Sequence, residues 1–384
     1  MSRLKDNENF KLLLKILIIF AISRLIMLVM VPVYNGIMGT HRSFLFLMNE
    51  WDAKKYAYII NNGYTYPTDM DPQANWAFFP LYVIVCMFFK TITGGLINTY
   101  VIGMIVSNVC SIIAAFFAAK GLKKQTDIKD GYELLMPVLM FMAPYTFYGA
   151  SVYTEAMFIM FIVLFFYFLS EKKYVLAGVM AACSSATRIV GCILVFALVV
   201  QLYIDIEGNK ISLGCIKDFV VTMFKNPGKI FAVLICPFGA FSYMTFLNFF
   251  CGDAWAYKNV QIAWRDDEYF PVVGVLWKAC TGQIEPRYTY MGWFCVAILI
   301  LYGYMFFRKY YAMAVFGIIS LLVPLTSHVM STCRFTFGTY VVFVGMYDIL
   351  SRFNKVVRWV ITGILVIIEI YLLFLWYNSD CWLM

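Results

Sequence analysis

Long apolar runs separated by short charged or turn-forming stretches recur from one end of the chain to the other. Residues 10–34 form the first, and it exceeds the ~20 residues that a helix needs to cross the hydrocarbon core of a bilayer. Runs of similar character predict spans near 133–149, 155–170, 229–250, 290–307, 310–326, 334–351 and 356–377. Two stretches depart from this rhythm. Between 77 and 119 there are two apolar runs, although the charges of the flanking segments require an odd number of crossings. A short or re-entrant helix over 77–89, opening at Pro80, satisfies both. Between 174 and 204 the flanks require an even number, and Thr187, Arg188 and Gly191 interrupt the run, which predicts a tight pair of short helices. The expected architecture is an all-α polytopic membrane protein with about ten to twelve transmembrane or re-entrant helices. No sequence period repeats, so 1–384 reads as one integral-membrane domain.

Composition leads to the same class. Hydrophobic residues make up 62% of the 384 residues and charged ones 14%, more apolar surface than one soluble core could hide. The formal charge of +8 does not indicate a nucleic-acid partner, because the lysines and arginines fall in small clusters between apolar runs, as topology signals do. Arg3, Lys5, Lys11 and Lys15 place the amino terminus on the cytoplasmic side, with the first run kept as an anchor. Later clusters around 120–129, 172–173, 210–229, 308–309 and 352–358 mark cytoplasmic loops. The segments 35–76, 150–154, 251–289, 327–333 and the tail after Tyr377 are then left outside. Most cysteines lie within apolar runs, where they act as small hydrophobes. Cys251, Cys280, Cys333 and Cys381 fall in outer segments, where a bridge is left open because sequence does not give connectivity.

The densest chemistry lies in residues 49–64, NEWDAKKYAYIINNGY. Asp52 is an acid at the water-facing edge of a membrane, where a carboxylate is costly to keep without a task and can take a proton from a hydroxyl. A plainer reading makes Asp52 the N-cap of a short surface helix that ends before Gly63. The two roles are compatible, since a capping carboxylate keeps lone pairs for a substrate. Asp69 and Asp71 have the spacing of a metal-nucleotide pair, but they sit in a Pro- and Asn-rich stretch with no strand–helix pattern around it and read as a solvated turn. No divalent metal or other cofactor is expected. Gly-rich phosphate loops, zinc spacings and nucleophile elbows are absent from the sequence.

Trp51, Asp52, Ala53, Tyr56, Ile59, Gly63 and Tyr64, followed by AFFPLY at 77–82, resemble the first extracytoplasmic loop and second span of the glycosylphosphatidylinositol mannosyltransferase 2 family and its prokaryotic relatives (glycosyltransferase family 76). Further blocks follow in the same order. SVYTEAMF at 151–158 is similar to the family's Tyr-Ser/Thr-Glu segment, ATRIVG at 186–191 to its Thr-Arg motif, and GDAWAYKNVQIAWR at 252–265 to its Gly-Asp block. STCRFTFGTYVVF at 331–343 is similar to its Arg-containing span, without the usual Pro before the Arg or the Phe-Pro pair after it.

The resemblance implies a GT-C fold and an inverting glycosyltransferase, with mannose as the expected sugar, acting on the extracytoplasmic face. Its donor would be a sugar on a polyprenyl phosphate and its acceptor a hydroxyl of an unidentified lipid, glycan or protein, with membrane lipids as the other partners. Asp52 is then the expected base. Arg334 is the first candidate to meet the phosphate, because a guanidinium grips phosphate oxygens in a paired geometry; Arg188 and Arg265 come next, and Arg188 has an alternative as a bend-holding membrane arginine. Arg24 shares that ambiguity. His328 could donate to a phosphate or simply be solvated. Glu155 could hold the acceptor or the Asp52 helix, or complement a helix amino terminus. Asp253 opens an aromatic outer segment suited to sugar stacking or to an interfacial belt. Trp51 and Tyr56 complete the expected substrate-binding set. The expected pocket is roofed by 35–76 and walled by 251–289. The rival reading is a lipid-linked-sugar transporter or flippase without covalent chemistry, although no inverted repeat is visible. A scaffold would leave the outer acids unexplained.

Overall fold

The computed structural model describes residues 2–66, 74–126, 132–263 and 272–383, and among these there is no β-strand. Five helices are long and apolar enough to cross a membrane: Asn7–Met38, Thr99–Gln125, Ile189–Glu207, Pro286–Phe307 and Lys355–Tyr377. Pro227–Ile235 and Phe238–Cys251 meet the same test as a pair bent by 48°. Five shorter apolar helices accompany them: Pro80–Ile92, Glu155–Ser170, Tyr174–Thr187, Tyr311–Leu325 and Tyr340–Ser351. The chain is an all-α polytopic membrane protein.

The expected short element near Pro80 is the Pro80–Ile92 helix, begun by a proline whose fixed φ and missing N–H suit a first helical position. The pair expected over 174–204 is Tyr174–Thr187 and Leu194–Glu207, joined by a 3-10 turn at Ile189–Ile193. Besides the bent pair over the expected 229–250 span, two further expected spans are broken. In place of one helix over 133–149 the chain forms Leu135–Met142, turns at Tyr145 with φ 65°, and continues as the 3-10 turn Thr146–Ala150. In place of one helix over 334–351 it forms Thr332–Phe337 and Tyr340–Ser351. Gly338 lies at that break, where a Cβ would come 3.0 Å from the Arg334 carbonyl and 3.4 Å from Glu155 Cγ. A helix also occupies part of the 210–229 segment read as a loop: Leu213–Phe224, capped by the Ser212 hydroxyl, which accepts the Cys215 N–H at 3.1 Å. All eleven cysteines are free thiols, so the bridge left open among Cys251, Cys280, Cys333 and Cys381 is not formed.

The contacts gather into two compact units. The first comprises Met1–Gly63, Tyr82–Met160 and Cys333–Met384. Its core is aromatic, with Tyr34, Tyr82, Tyr153, Phe147, Trp376 and Tyr377 fully buried. Buried hydroxyls there find partners within the protein: Tyr377 donates to Met27 O and Tyr82 to Gly103 O, both at 2.8 Å.

The second unit comprises Tyr64–Leu81 and Phe161–Thr332. Small residues let its helices close up: a Cβ on Gly239 would lie 2.2 Å from the Ala182 carbonyl, so only glycine fits that crossing. Phe79, Tyr243, Leu247 and Tyr257 form a buried cluster with Tyr64 and Trp76 packed against it, and Tyr243 OH donates to Trp76 O at 2.8 Å.

Candidate active site

Within the first unit the chain leaves the Phe44–Met48 helix at Asn49 and starts the next helix at Asp52 through a sharp corner. Trp51 sits at that corner with φ 54° and ψ −119°, a conformation rare for a residue other than glycine and costing on the order of 1–3 kcal/mol. Neighbouring groups hold it there. The Asn49 side chain accepts the Val152 N–H at 3.1 Å and donates to Leu45 O at 2.8 Å. Tyr153 OH donates to Glu50 O at 3.0 Å and accepts the Asp52 N–H at 3.1 Å. Burial, and after it the neighbouring Asp52 carboxylate, push the Tyr153 phenol above its ordinary range, so it remains a hydroxyl able to serve both.

The expectation that Asp52 caps its helix is corrected. Trp51 occupies the N-cap position and makes no side-chain cap bond, whereas Asp52 is the first helical residue. Its own amide is satisfied by Tyr153, and its carboxylate turns to a guanidinium, a stronger partner than a backbone N–H. At the other end Gly63 closes the helix as expected, with φ 82° and its N–H on Ile59 O at 2.8 Å.

That guanidinium belongs to Arg334, from the short Thr332–Phe337 helix. Its NH1 donates to Asp52 Oδ2 at 2.7 Å and its Nε to Glu155 Oε1 at 2.5 Å. Its carbon lies 4.5 Å from the centre of the Tyr153 ring and 5.1 Å from that of Tyr148, so aromatic faces cover the cation. The three charged side chains differ in access to water: Glu155 is 2% exposed, Arg334 11% and Asp52 37%. Buried carboxylate, guanidinium and half-exposed carboxylate thus form a chain leading outward, and only its outer member faces solvent freely. A cavity of about 20 Å³ also reaches Glu155, between Ser111, Tyr145, Thr146, Gly149 and Phe337. It has room for a water.

Of the residues singled out in the sequence, Asp52, Glu155 and Arg334 are brought into direct contact. Trp51 and Tyr56 belong to the same corner, Tyr56 reaching Thr154 Oγ1 at 3.4 Å and lying 6.3 Å from the Tyr153 ring. The indole N–H of Trp51 is buried with no hydrogen-bond partner among the described residues.

Arg188, Asp253 and His328 belong to the second unit. Half-buried Arg188 closes the Tyr174–Thr187 helix, its N–H on Ser184 O at 3.0 Å. Asp253 accepts the Trp255 N–H at 2.8 Å and the Asn259 amide at 2.7 Å, so it braces the turn that follows it. His328 accepts the Met330 N–H at 3.0 Å through Nδ1, and its ring meets Tyr288 edge-on at 4.4 Å. Arg265, with Asp69 and Asp71, lies outside the described residues.

Three contributors escaped the sequence reading. Tyr153 sits inside the SVYTEAMF block, two residues before Glu155, and that proximity was its only signal. Glu50 is buried and pairs with Lys54 at 2.5 Å on the inner side of the corner. Glu369 is buried in the Lys355–Tyr377 helix and accepts from Thr146 Oγ1 at 2.9 Å and Phe147 N at 2.7 Å. It thereby anchors the Thr146–Ala150 turn that leads into Tyr153 and Glu155.

No protein-family model matches the chain, and no curated protein does. Among solved structures it is similar to the oligosaccharyltransferase of Archaeoglobus fulgidus. Against that protein in complex with zinc and sulfate the TM-score is 0.45 at 11% identity, covering 94% of this chain and 53% of the other. Against archaeal oligosaccharyltransferase AglB from the same organism, in complex with an inhibitory peptide and a dolichol-phosphate, it is 0.46 at 12% identity, covering 95% and 55%. The chain spans about half the length of these structures.

Proposed function

We propose that the protein is an inverting glycosyltransferase of the GT-C type, which moves a sugar from a polyprenyl-phosphate donor to a hydroxyl acceptor on the extracytoplasmic face. The observation that carries the reading is the contact among Asp52, Arg334 and Glu155, residues far apart in the chain and each drawn from a block that resembles the glycosylphosphatidylinositol mannosyltransferase 2 family. That resemblance favours mannose as the sugar.

In this reading Asp52 takes the proton of the acceptor hydroxyl. The acceptor oxygen forms its bond to the anomeric carbon from the face opposite the lipid phosphate, the bond from that carbon to the phosphate oxygen breaks, and the electron pair leaves on the polyprenyl phosphate. Arg334 meets the growing negative charge, which a preorganised cation in a water-poor site stabilises strongly. Glu155 grips Nε and fixes the plane of the guanidinium, leaving its NH edge to exchange Asp52 for a phosphate oxygen when the donor arrives. That exchange frees the Asp52 carboxylate for the acceptor. Arg334 supplies the positive charge that a divalent ion provides elsewhere, and the reading assigns no metal to the reaction.

The test is turnover by the purified protein in lipid. Radiolabelled polyprenyl-phosphate mannose and glucose are supplied with a hydroxyl-bearing lipid extract, and free polyprenyl phosphate and labelled product are followed together. Release of the lipid phosphate matched by transfer of the label supports the proposal. Passage of intact donor across the bilayer with no bond broken would replace it with the transporter reading.

A further inference from the structure

The Leu213–Phe224 helix of the second unit has no buried residue, yet it is rich in large apolar side chains. Cys215, Phe219, Thr222 and Met223 are half-buried and mark its inner side, where Phe219 meets the Tyr203 ring edge-on at 5.4 Å. Its outer side carries Leu213, Val220, Val221 and Phe224, all exposed, with exposed Lys217 among them, and Ile211 just before it is exposed as well. Ile211, Leu213 and Phe224 are 85%, 88% and 76% exposed, an arrangement that water does not favour. The helix has 12 residues, about 18 Å, too short to cross a bilayer. It connects the Leu194–Glu207 helix, which ends an apolar span, to the bent Pro227–Cys251 pair.

Lysines outnumber acids around it. Lys210, Lys217, Lys225 and Lys229 lie in or beside it, against Asp218 within it and Asp205 and Glu207 just before it. Lys172 and Lys173 belong to the same end of the unit. The Lys229 ammonium lies 5.7 Å from the ring of Tyr174, the next residue, and Tyr174 OH donates to Asp205 at the end of the Leu194–Glu207 helix at 2.8 Å. Tyr203 OH, on that helix, donates to Lys210 O at 2.6 Å. Four lysines, Lys210, Lys217, Lys225 and Lys229, thus lie in or within five residues of one exposed apolar helix.

We propose that this helix lies in the plane of an anionic membrane surface, with Leu213, Val220, Val221 and Phe224 at the acyl boundary and the surrounding lysines on acidic phospholipid head groups. Apolar side chains at the acyl boundary, with lysines within and beside them that extend to the head groups, are the chemistry that holds amphipathic helices on such surfaces. The inference is independent of the reaction proposed above.

Amide hydrogen exchange tests it on the full-length protein in nanodiscs of phosphatidylcholine alone or mixed with phosphatidylglycerol. Exchange over 213–224 should slow by at least about tenfold when the acidic lipid is present, given about 1 kcal/mol for each lysine near such a surface. Molar salt should remove the difference. So should the joint Lys210→Gln, Lys217→Gln, Lys225→Gln and Lys229→Gln variant, whose changes lie at exposed or half-buried positions. Equal exchange in the two bilayers would overturn the proposal. Slowing that appears only on adding a soluble protein fraction would overturn it too, in favour of a protein partner.

Discussion

Replacing Arg334 by lysine keeps the charge and removes the geometry. The guanidinium reaches Glu155 through Nε and Asp52 through NH1, two separate nitrogens on one rigid plane. An ammonium is a single point at the end of a flexible stem, and once paired with the buried Glu155 it has no fixed second edge to offer a phosphate. One charge-assisted hydrogen bond is then lost where the leaving group departs, worth about 1.5–3 kcal/mol. At about 1.4 kcal/mol per factor of ten this is a roughly 10- to 150-fold fall in kcat/KM. The assay is initial-rate release of polyprenyl phosphate, with the thermal midpoint of the variant measured in the same lipid to confirm folding. The fall should appear in kcat, because the negative charge is greatest in the transition state. A folded Arg334→Lys protein within threefold of wild type would refute the assignment of paired phosphate recognition to this residue.

Other perturbations probe the supporting shell. Tyr153→Phe keeps the ring under the guanidinium but removes the hydroxyl that joins Glu50 O to the Asp52 amide, and about 1–2 kcal/mol of positioning should go with it, read as a roughly tenfold lower kcat with little change in KM. Glu369→Leu leaves the Thr146 hydroxyl and the Phe147 amide buried without their acceptor, so the protein should lose about 1–3 kcal/mol of stability, seen as a lower thermal midpoint; an unchanged midpoint would remove Glu369 from the frame of the site. Treatment with a divalent-metal chelator should leave turnover unaltered if Arg334 alone neutralises the phosphate, whereas loss restored by added metal would show that a cation shares the task.

Much of the helix pattern was legible because bilayer-spanning apolar runs are long and their interruptions conspicuous. Glu155–Ser170 falls where periodicity and the change at Glu155 place it. The break at Tyr145 was not legible, since the turn after it is held by Glu369 from a distant helix, and the break at Gly338 was not, since a single glycine in an apolar run does not mark where a helix is interrupted. The Leu213–Phe224 helix was hidden for another reason: its lysines are the usual mark of a loop, and its apolar face is outside the packed unit. At the site, Asp52, Glu155 and Arg334 could be named individually, but their mutual contact bridges sequence separations that no local pattern encodes. The cap reading of Asp52 failed because an acid ahead of a helical run looks the same whether it faces its own backbone or a distant arginine. Glu369 carried no signal, as an acid in an apolar run does not reveal which turn it serves.

The most direct measurement compares donor binding with turnover in Asp52→Asn, a change that keeps the size of the side chain and removes the base. Donor affinity should be unchanged or tighter, because a carboxylate competing for Arg334 has been neutralised, while turnover falls by roughly 10²- to 10⁴-fold. A folded Asp52→Asn protein that transfers sugar at the wild-type rate would contradict the assignment of Asp52 as the base and with it the proposed chemistry.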